Sequence, residues 1–155
     1  MTEIAFHFNI SDDERGKLNY ACRLLRKAYA QGARVGVLAA PEALGALDAA
    51  LWTFSQRDFI PHCTADAPEH IRSATPIMLA SACEPLQHCD VLLHLGQGEA
   101  PEGFERFERL IELVSSEAAD RQGARARWRY YAERGYSIKT HDAAAQRAAK
   151  RSTHD

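Results

Sequence analysis

The sequence has 155 residues, of which 46% are hydrophobic and 26% charged, and its formal net charge at pH 7 is -2. This length provides one domain with a core of its own and is too short for two ordinary domains. The nearly balanced charge excludes the broad basic face of a duplex-DNA-binding protein, and no stretch approaches the roughly 18 unbroken apolar residues of a membrane span.

The N-terminus lacks the basic and long apolar regions of a signal peptide, so we expect a cytoplasmic protein. Cysteines in that compartment stay reduced, and we expect no disulfides here. The four cysteines are Cys22, Cys63, Cys83 and Cys89.

The first predicted elements are a strand and a helix. Residues 4–9 alternate apolar and other side chains and indicate a strand. Ser11 and Glu14 then form the S-x-x-E pattern of a capping box that would open the helix. The following apolar residues recur at helical spacing, which places Cys22 on the buried face, and Gly32 stands where a C-terminal cap is expected.

A second strand and helix are predicted next. Residues 34–40 indicate a strand, and Pro41 fits the first turn of the helix. The apolar residues at helical spacing along this helix are Leu44, Leu47, Leu51 and Trp52. Residues 59–62 predict a short extended piece, whereas residues 64–75 show no clear period and predict a loop.

Two short apolar runs, residues 77–80 and 91–95, are bounded by turn residues. Such runs are typical of strands covered on both faces in a parallel sheet, so we expect both to be central strands. Glycines and a proline in residues 96–103 predict a loop. Residues 107–114 fit another strand, although the aromatic spacing there also fits a helix.

The last predicted elements are a helix over residues 117–133, ended by Gly135, and a late strand over residues 136–140. Residues 143–155 contain no apolar residue larger than alanine and predict a frayed, flexible C-terminal segment. Together these elements predict a single α/β domain over residues 1–142. It would have three layers, with helices on both faces of a mostly parallel central sheet.

The helix over residues 117–133 carries the most distinctive pattern. Residues 121–134 include five arginines and one carboxylate, a local charge of +4. At about 100° per residue, arginines and a tryptophan share one helical face. These residues are Arg121, Arg125, Trp128 and Arg129, and the residues predicted beside them are Arg127, Tyr131 and Arg134.

This pattern has two interpretations. A guanidinium group can hold a carboxylate through two parallel hydrogen bonds, and the flat ring of Trp128 offers an apolar wall. Such a surface suits a peptide that ends in an apolar residue with a free carboxylate. The alternative is a solvated helix whose arginine stems extend over the sheet.

Histidines and cysteines invite a zinc hypothesis, since imidazole and thiolate are the usual ligands. The candidates are His62, Cys63, Cys83, His88, Cys89 and His94. Structural sites normally place two ligands on a tight turn, whereas the side chains of adjacent residues diverge on an extended backbone. The spacing therefore argues against a metal, and we expect no cofactor.

The sequence also lacks the motifs of a nucleotide-dependent enzyme. The junction after the first strand, residues 9–14, has three acids and no glycine, so it predicts no phosphate loop. The spacing of Gly96, Gly98 and Gly103 matches neither a dinucleotide fingerprint nor a Walker loop. No G-x-S-x-G elbow and no cysteine or serine in a basic setting indicates a nucleophile, so we predict no catalytic residues.

Several segments carry a family resemblance through their order and spacing. They are L-D-x-x-L-W at 47–52, F-I-P-H at 59–62, P-I-M-L at 76–79, D-V-L-L-H-L at 90–95, A-R-x-R-W-R-x-Y at 124–131 and G-Y at 135–136. In most of its length the chain resembles the chi subunit of bacterial DNA polymerase III, an accessory of the clamp-loader complex.

The resemblance implies a nucleotide-binding-like topology and a DNA-replication subunit without catalytic activity of its own. It also implies binding to the acidic C-terminal tail of single-stranded DNA-binding protein, which ends in an aromatic residue with a free carboxylate. Carried over position by position, the family's tail site falls on Val114, Arg121, Arg125, Trp128 and Arg129.

Some positions depart from the family pattern. Arg121 and Arg129 stand where lysine is common, and Trp128 stands where tyrosine is common, so the charges and the ring are kept. Residues 64–75 lack the glycines that often follow the Pro-His pair, which leaves any role of that loop open. The family also pairs with a small psi subunit that links it to the clamp loader, and psi is a second expected partner.

Two other functions stay open. A direct single-stranded nucleic-acid-binding protein would need several exposed aromatic rings along a longer basic groove, and the sequence shows one short basic patch, so we expect little such binding. A degenerate nucleotide- or metal-dependent hydrolase would be recognised by its nucleotide or metal content.

Overall fold

The computed structural model describes residues 1–13, 15–54, 59–86, 88–96 and 98–154, the last five of them by their backbone alone. Within these residues, seven strands form one parallel sheet in the order β3-β4-β2-β5-β6-β1-β7. The strands are β1 Glu3–Ile10, β2 Val35–Leu38, β3 His62–Thr64, β4 Ile77–Ala80, β5 Val91–His94, β6 Arg109–Ser115 and β7 Ile138–Asp142.

Helices connect these strands. They are α1 Gly16–Ala30, α2 Pro41–Thr53, α3 Glu69–Ala74, α4 Ala118–Glu133 and α5 Ala143–His154, with short 3-10 helices at Glu84–Leu86 and Phe104–Arg106. None of the helices in the described part of the chain is long and apolar enough to cross a membrane.

The two faces of the sheet bury two apolar clusters. On β6, Leu110 and Val114 point to the cluster under α4, whereas Ile111 and Leu113 point to the cluster under α1 and α2. This alternation follows from the period of two along a strand. The predicted three-layer α/β fold with a parallel central sheet is therefore confirmed, and residues 107–114 belong to a strand rather than a helix.

The predicted capping box does not open α1. The helix begins at Gly16 after Arg15, without a side-chain cap, and the Ser11 hydroxyl accepts a hydrogen bond from the Asp13 amide at 3.4 Å instead. A Cβ atom on Gly16 would lie 2.1 Å from the Ser11 carbonyl oxygen, so the chain turns back on itself before the helix starts. Glu14, the second residue of the box, lies outside the described residues.

Residues 64–75 are not a loop throughout, because α3 occupies Glu69–Ala74. Pro68 precedes the helix with φ of -57°, a value its ring fixes in advance. None of the six residues of α3 is buried, so the helix has no apolar face that periodicity could reveal.

The C-terminal segment is helical where the sequence predicts fraying. The Asp142 carboxylate accepts hydrogen bonds from the amides of Ala144 at 3.0 Å and Ala145 at 3.3 Å, which caps α5. Ala143 is buried, and Arg147 donates to the Asn9 carbonyl oxygen at 3.1 Å. The helix therefore corrects the expectation that the C-terminal segment lacks regular structure, whereas the flexibility of the segment stays a prediction.

Candidate functional site

Helix α4 presents the predicted basic face to the surface. Its buried positions Ala124, Arg127 and Tyr131 follow helical spacing and face the sheet. Asp120 fixes the start of the helix, because its carboxylate accepts hydrogen bonds from the Ser115 amide at 2.8 Å and from the Ser115 hydroxyl at 2.9 Å. The rotation of α4 about its axis is therefore set, and it leaves the arginine face outward.

Four predicted site residues lie on this outward face, and we call them the α4 patch. They are Arg121, Arg125, Trp128 and Arg129. None of the three guanidinium groups forms an ion pair with a carboxylate of any described residue. The Trp128 side chain is 37% exposed, and its ring centroid lies 5.1 Å from that of buried Phe6. The patch therefore combines cations that lack a carboxylate partner in the described part of the chain with a ring that rests on Phe6.

Val114, the fifth predicted site residue, lies below the surface. It belongs to β6, is 3% exposed, and shares an apolar cluster with Phe6 and Ala124. Its packing supports the patch from below and leaves little of the side chain for a ligand.

Arg127 and Arg134, predicted beside the patch, have other partners. Arg127 is 2% exposed, and its Nε donates to Glu112 Oε2 at 2.9 Å while Nη1 donates to the Gly98 carbonyl oxygen at 3.0 Å. The guanidinium carbon of Arg134 lies 3.4 Å from the centroid of the Tyr130 ring. Sequence spacing alone therefore overestimates the free charge of this helix.

Glu112 is the centre of a buried polar network that sequence reasoning missed. His94 Nδ1 lies 2.5 Å from Glu112 Oε1, and the Tyr131 hydroxyl donates to Glu112 Oε2 at 2.8 Å. Burial raises the pKa of Glu112, but the hydrogen bond and charge of His94, together with Arg127 and Tyr131, outweigh it and lower the pKa. Burial and the Glu112 charge raise the pKa of Tyr131. The carboxylate thus stays ionised at neutral pH.

Comparison with known proteins places the sequence in a family. The family model of the DNA polymerase III chi subunit, HolC, matches residues 1–139, a range that includes the whole α4 patch. The chain belongs to the chi subunit family.

Two relatives carry the name DNA polymerase III subunit chi. The protein from Pseudomonas aeruginosa is 39% identical over 142 residues, which cover 91% of this chain and 96% of the relative. The protein from Haemophilus influenzae is 28% identical over 122 residues, which cover 77% of this chain and 83% of the relative. The predicted family resemblance is therefore confirmed.

The histidines and cysteines of this chi-family chain are dispersed. No group of three or more His, Cys, Asp or Glu side chains could hold a metal ion within the described residues. His62 Nε2 pairs with Asp48 Oδ1 at 2.9 Å, and the four cysteines are free. Burial raises the pKa of Cys22 and Cys83 to about 11, which keeps both as neutral thiols.

A lysine occupies the junction where a nucleotide-binding fold would place its phosphate loop. Lys17 Nζ lies 2.6 Å from Asp120 Oδ2 and donates to the Leu95 carbonyl oxygen at 2.8 Å. Asp12 and Asp13 stand exposed beside it. Lys17 and Asp120 therefore join the first turn of α1 to the ends of β5 and β6 at the place where glycine amides would face a phosphate in a nucleotide-binding fold.

Proposed function

We propose that the protein binds the acidic C-terminal tail of single-stranded DNA-binding protein through the α4 patch. It would act as a non-catalytic chi subunit in the cytoplasm, and a psi subunit would link it to the clamp loader. In this way it would hold the polymerase on single strands that are coated by single-stranded DNA-binding protein. Family membership supports the assignment to DNA polymerase III. The observation that carries the tail assignment is a set of guanidinium groups beside exposed Trp128 that have no carboxylate partner among the described residues.

The geometry of α4 suits a peptide with several carboxylates. Successive arginines four residues apart are separated by about 6 Å along a helix axis, so the three charges form a row about 12 Å long. Arg125 in the centre can hold the terminal carboxylate with two parallel hydrogen bonds, because the guanidinium fork matches its two oxygens. The aromatic ring before that carboxylate would then pack on Trp128, which rests on Phe6.

A titration of the protein into a fluorescently labelled tail peptide tests this proposal through fluorescence anisotropy. A second peptide with an amidated C-terminus removes the terminal charge and keeps the ring. We expect the amidated peptide and the Arg125→Ala variant each to bind about tenfold more weakly, the loss of one charge-assisted contact. Rising salt should weaken the binding of the free acid, because the exposed charges are screened.

Arg23→Ala is the matched control, since Arg23 is an exposed arginine on α1 at the opposite face of the sheet. Its tail affinity should equal that of the unmodified protein. Unchanged affinity in Arg125→Ala would show that the tail site has been assigned wrongly. Equal binding of both peptides would reduce the α4 patch to a nonspecific basic surface.

A further inference from the structure

A second basic region lies on the face of the sheet opposite α4. A cavity of about 810 Å³ opens between α1, β1, β7 and the segment that starts at Phe59. Its cationic lining residues are Arg23, Arg26 and Lys27, and its histidines are His7 and His141. We call it the α1 cavity.

The cations of the α1 cavity have no carboxylate partner among the described residues. No carboxylate belongs to the described lining, and Arg23, Arg26 and Lys27 form no ion pair with a carboxylate of any described residue. The two guanidinium carbons lie over rings, that of Arg23 at 5.8 Å from the Tyr20 centroid and that of Arg26 at 5.4 Å from the Phe54 centroid. Like charges placed together repel each other unless an anion joins them.

The floor of the α1 cavity offers a buried hydrogen-bond donor. His7 is 8% exposed, and its Nδ1 lies 2.5 Å from the Tyr20 hydroxyl. Burial, with the charges of His141 and Lys27, lowers the pKa of His7 to about 4, and burial raises the pKa of Tyr20. His7 is therefore neutral at neutral pH, and in the tautomer whose Nδ1 accepts a hydrogen bond from the Tyr20 hydroxyl the imidazole proton resides on Nε2, which has no partner among the described residues.

Two exposed aromatic side chains also line the wall. Tyr29 is 40% exposed and Phe59 is 58% exposed, and both line the α1 cavity. Flat, exposed rings beside cations are the combination that proteins use to hold a base and its phosphate. A volume near 800 Å³ lies within the range of about 300–1,000 Å³ of small-ligand sites.

We propose that the α1 cavity binds a nucleotide unit. Arg23, Arg26, Lys27 and His7 Nε2 hold the phosphate, and Tyr29 and Phe59 contact the base. The α1 cavity is separate from the α4 patch, so the proposal for one site can be wrong while the proposal for the other is right. The unit can be a free nucleotide or one residue of a single-stranded nucleic acid, because both present the same phosphate and ring.

Isothermal titration calorimetry tests the proposal with thymidine 5′-monophosphate, thymidine and inorganic phosphate. We expect the monophosphate to bind most tightly, since it alone supplies both groups, and the Arg23→Ala/Lys27→Ala double variant to weaken it about tenfold or more. Both substituted residues are exposed, so the fold should survive, and circular dichroism would confirm that. Arg125→Ala is the control and should leave nucleotide affinity unchanged.

Thymidine binding as tightly as its monophosphate, or full affinity in the double variant, would overturn the proposal. A ten-residue oligothymidylate distinguishes a free nucleotide from a single-stranded nucleic acid. If the oligothymidylate binds more tightly than the monophosphate and its affinity depends more steeply on salt, the ligand is a nucleic-acid strand. If the two bind equally tightly, the ligand is a free nucleotide. The acidic tail peptide should bind the double variant normally, whereas lost tail binding there would assign the α1 cavity to the peptide instead.

Discussion

The interior under α4 depends on a single carboxylate. Glu112 is fully buried and is shared by Arg127, His94 and Tyr131. A buried ion pair contributes little net stability, but removing one partner leaves the other as an uncompensated charge in the core. The energetic consequence of a substitution here therefore comes mainly from Arg127, which cannot reach water.

Glu112→Ala should lower the free energy of unfolding by about 3–5 kcal/mol, the usual cost of breaking a buried pair on one side. Urea denaturation would measure it. Glu3→Ala is the control, because Glu3 makes an exposed ion pair with Lys139 at 2.6 Å, and this change should have little effect. Equal losses in the two variants would contradict a structural role for the buried network.

The same carboxylate predicts a pH dependence. Its folded pKa lies below the ordinary value of 4.5, so its contribution to stability is complete above that value and is lost as the pH falls through the folded pKa. The difference in unfolding free energy between the unmodified protein and Glu112→Gln should therefore shrink in acid. A difference that stays constant from pH 7 to pH 3 would argue that Glu112 is not ionised in the folded protein.

The role of Arg127 was not predictable from α4 alone. Arg125 and Arg127 have the same charge and lie two residues apart, so spacing places them on different faces without saying which face is buried. A signal existed in another segment, where Glu112 is the lone acid within the apolar run of β6. Such an acid needs a buried cation, and α4 supplies it.

At the scale of elements, the periodic and well-punctuated segments were predictable. Pro41 begins α2, and Gly135 follows α4 with φ of +80°, as the cap pattern indicates. Besides the start of α1, where the predicted capping box does not form, the exceptions are short or alanine-rich. Helix α3 has no buried residue, and α5 depends on a cap from Asp142 that lies outside its own sequence.

Packing between elements makes Gly36 in β2 a sensitive position. A Cβ atom there would lie 3.0 Å from both Cβ and Cδ1 of Leu86, in a short 3-10 helix that covers the strand. Gly36→Ala should therefore cost about 1–3 kcal/mol through overpacking. Gly45→Ala is the matched control, because it has open space in α2 and should stabilise the protein by up to about 1 kcal/mol.

The clash between Ala at position 36 and Leu86 can be tested by shortening the Leu86 side chain. Leu86→Ala alone should create a cavity, and combined with Gly36→Ala it should cost less than the two separate losses together, because the alanine methyl group fills part of that space. Additive losses in chemical denaturation would mean that Gly36 is required for some reason other than contact with Leu86.

At the scale of the whole molecule, the sequence predicts the three layers of the fold but not which distant segments come together to form a surface site. The α4 patch lies on one helix and was visible in its spacing. The α1 cavity combines α1, β1, β7 and Phe59, which are distant in sequence. They meet because β7 pairs with β1 at the edge of the sheet. No local sequence pattern predicts the order of strands in a sheet, so this convergence could not be predicted.

The boundary of the domain gives a last prediction. Deleting residues 144–155 keeps buried Ala143 but removes the capped turn and the hydrogen bond from Arg147 to the Asn9 carbonyl oxygen. Among the deleted residues whose side chains are described, 144–149, none is buried. The shortened chain should therefore fold and lose about 1–2 kcal/mol of unfolding free energy, the scale of a lost helix cap or hydrogen bond. Its affinity for the acidic tail peptide should not change, because the α4 patch lies on the other face of the sheet. A shortened chain that fails to fold in urea titrations would make α5 part of the domain, and a loss of peptide affinity alone would show that α5 affects the opposite face.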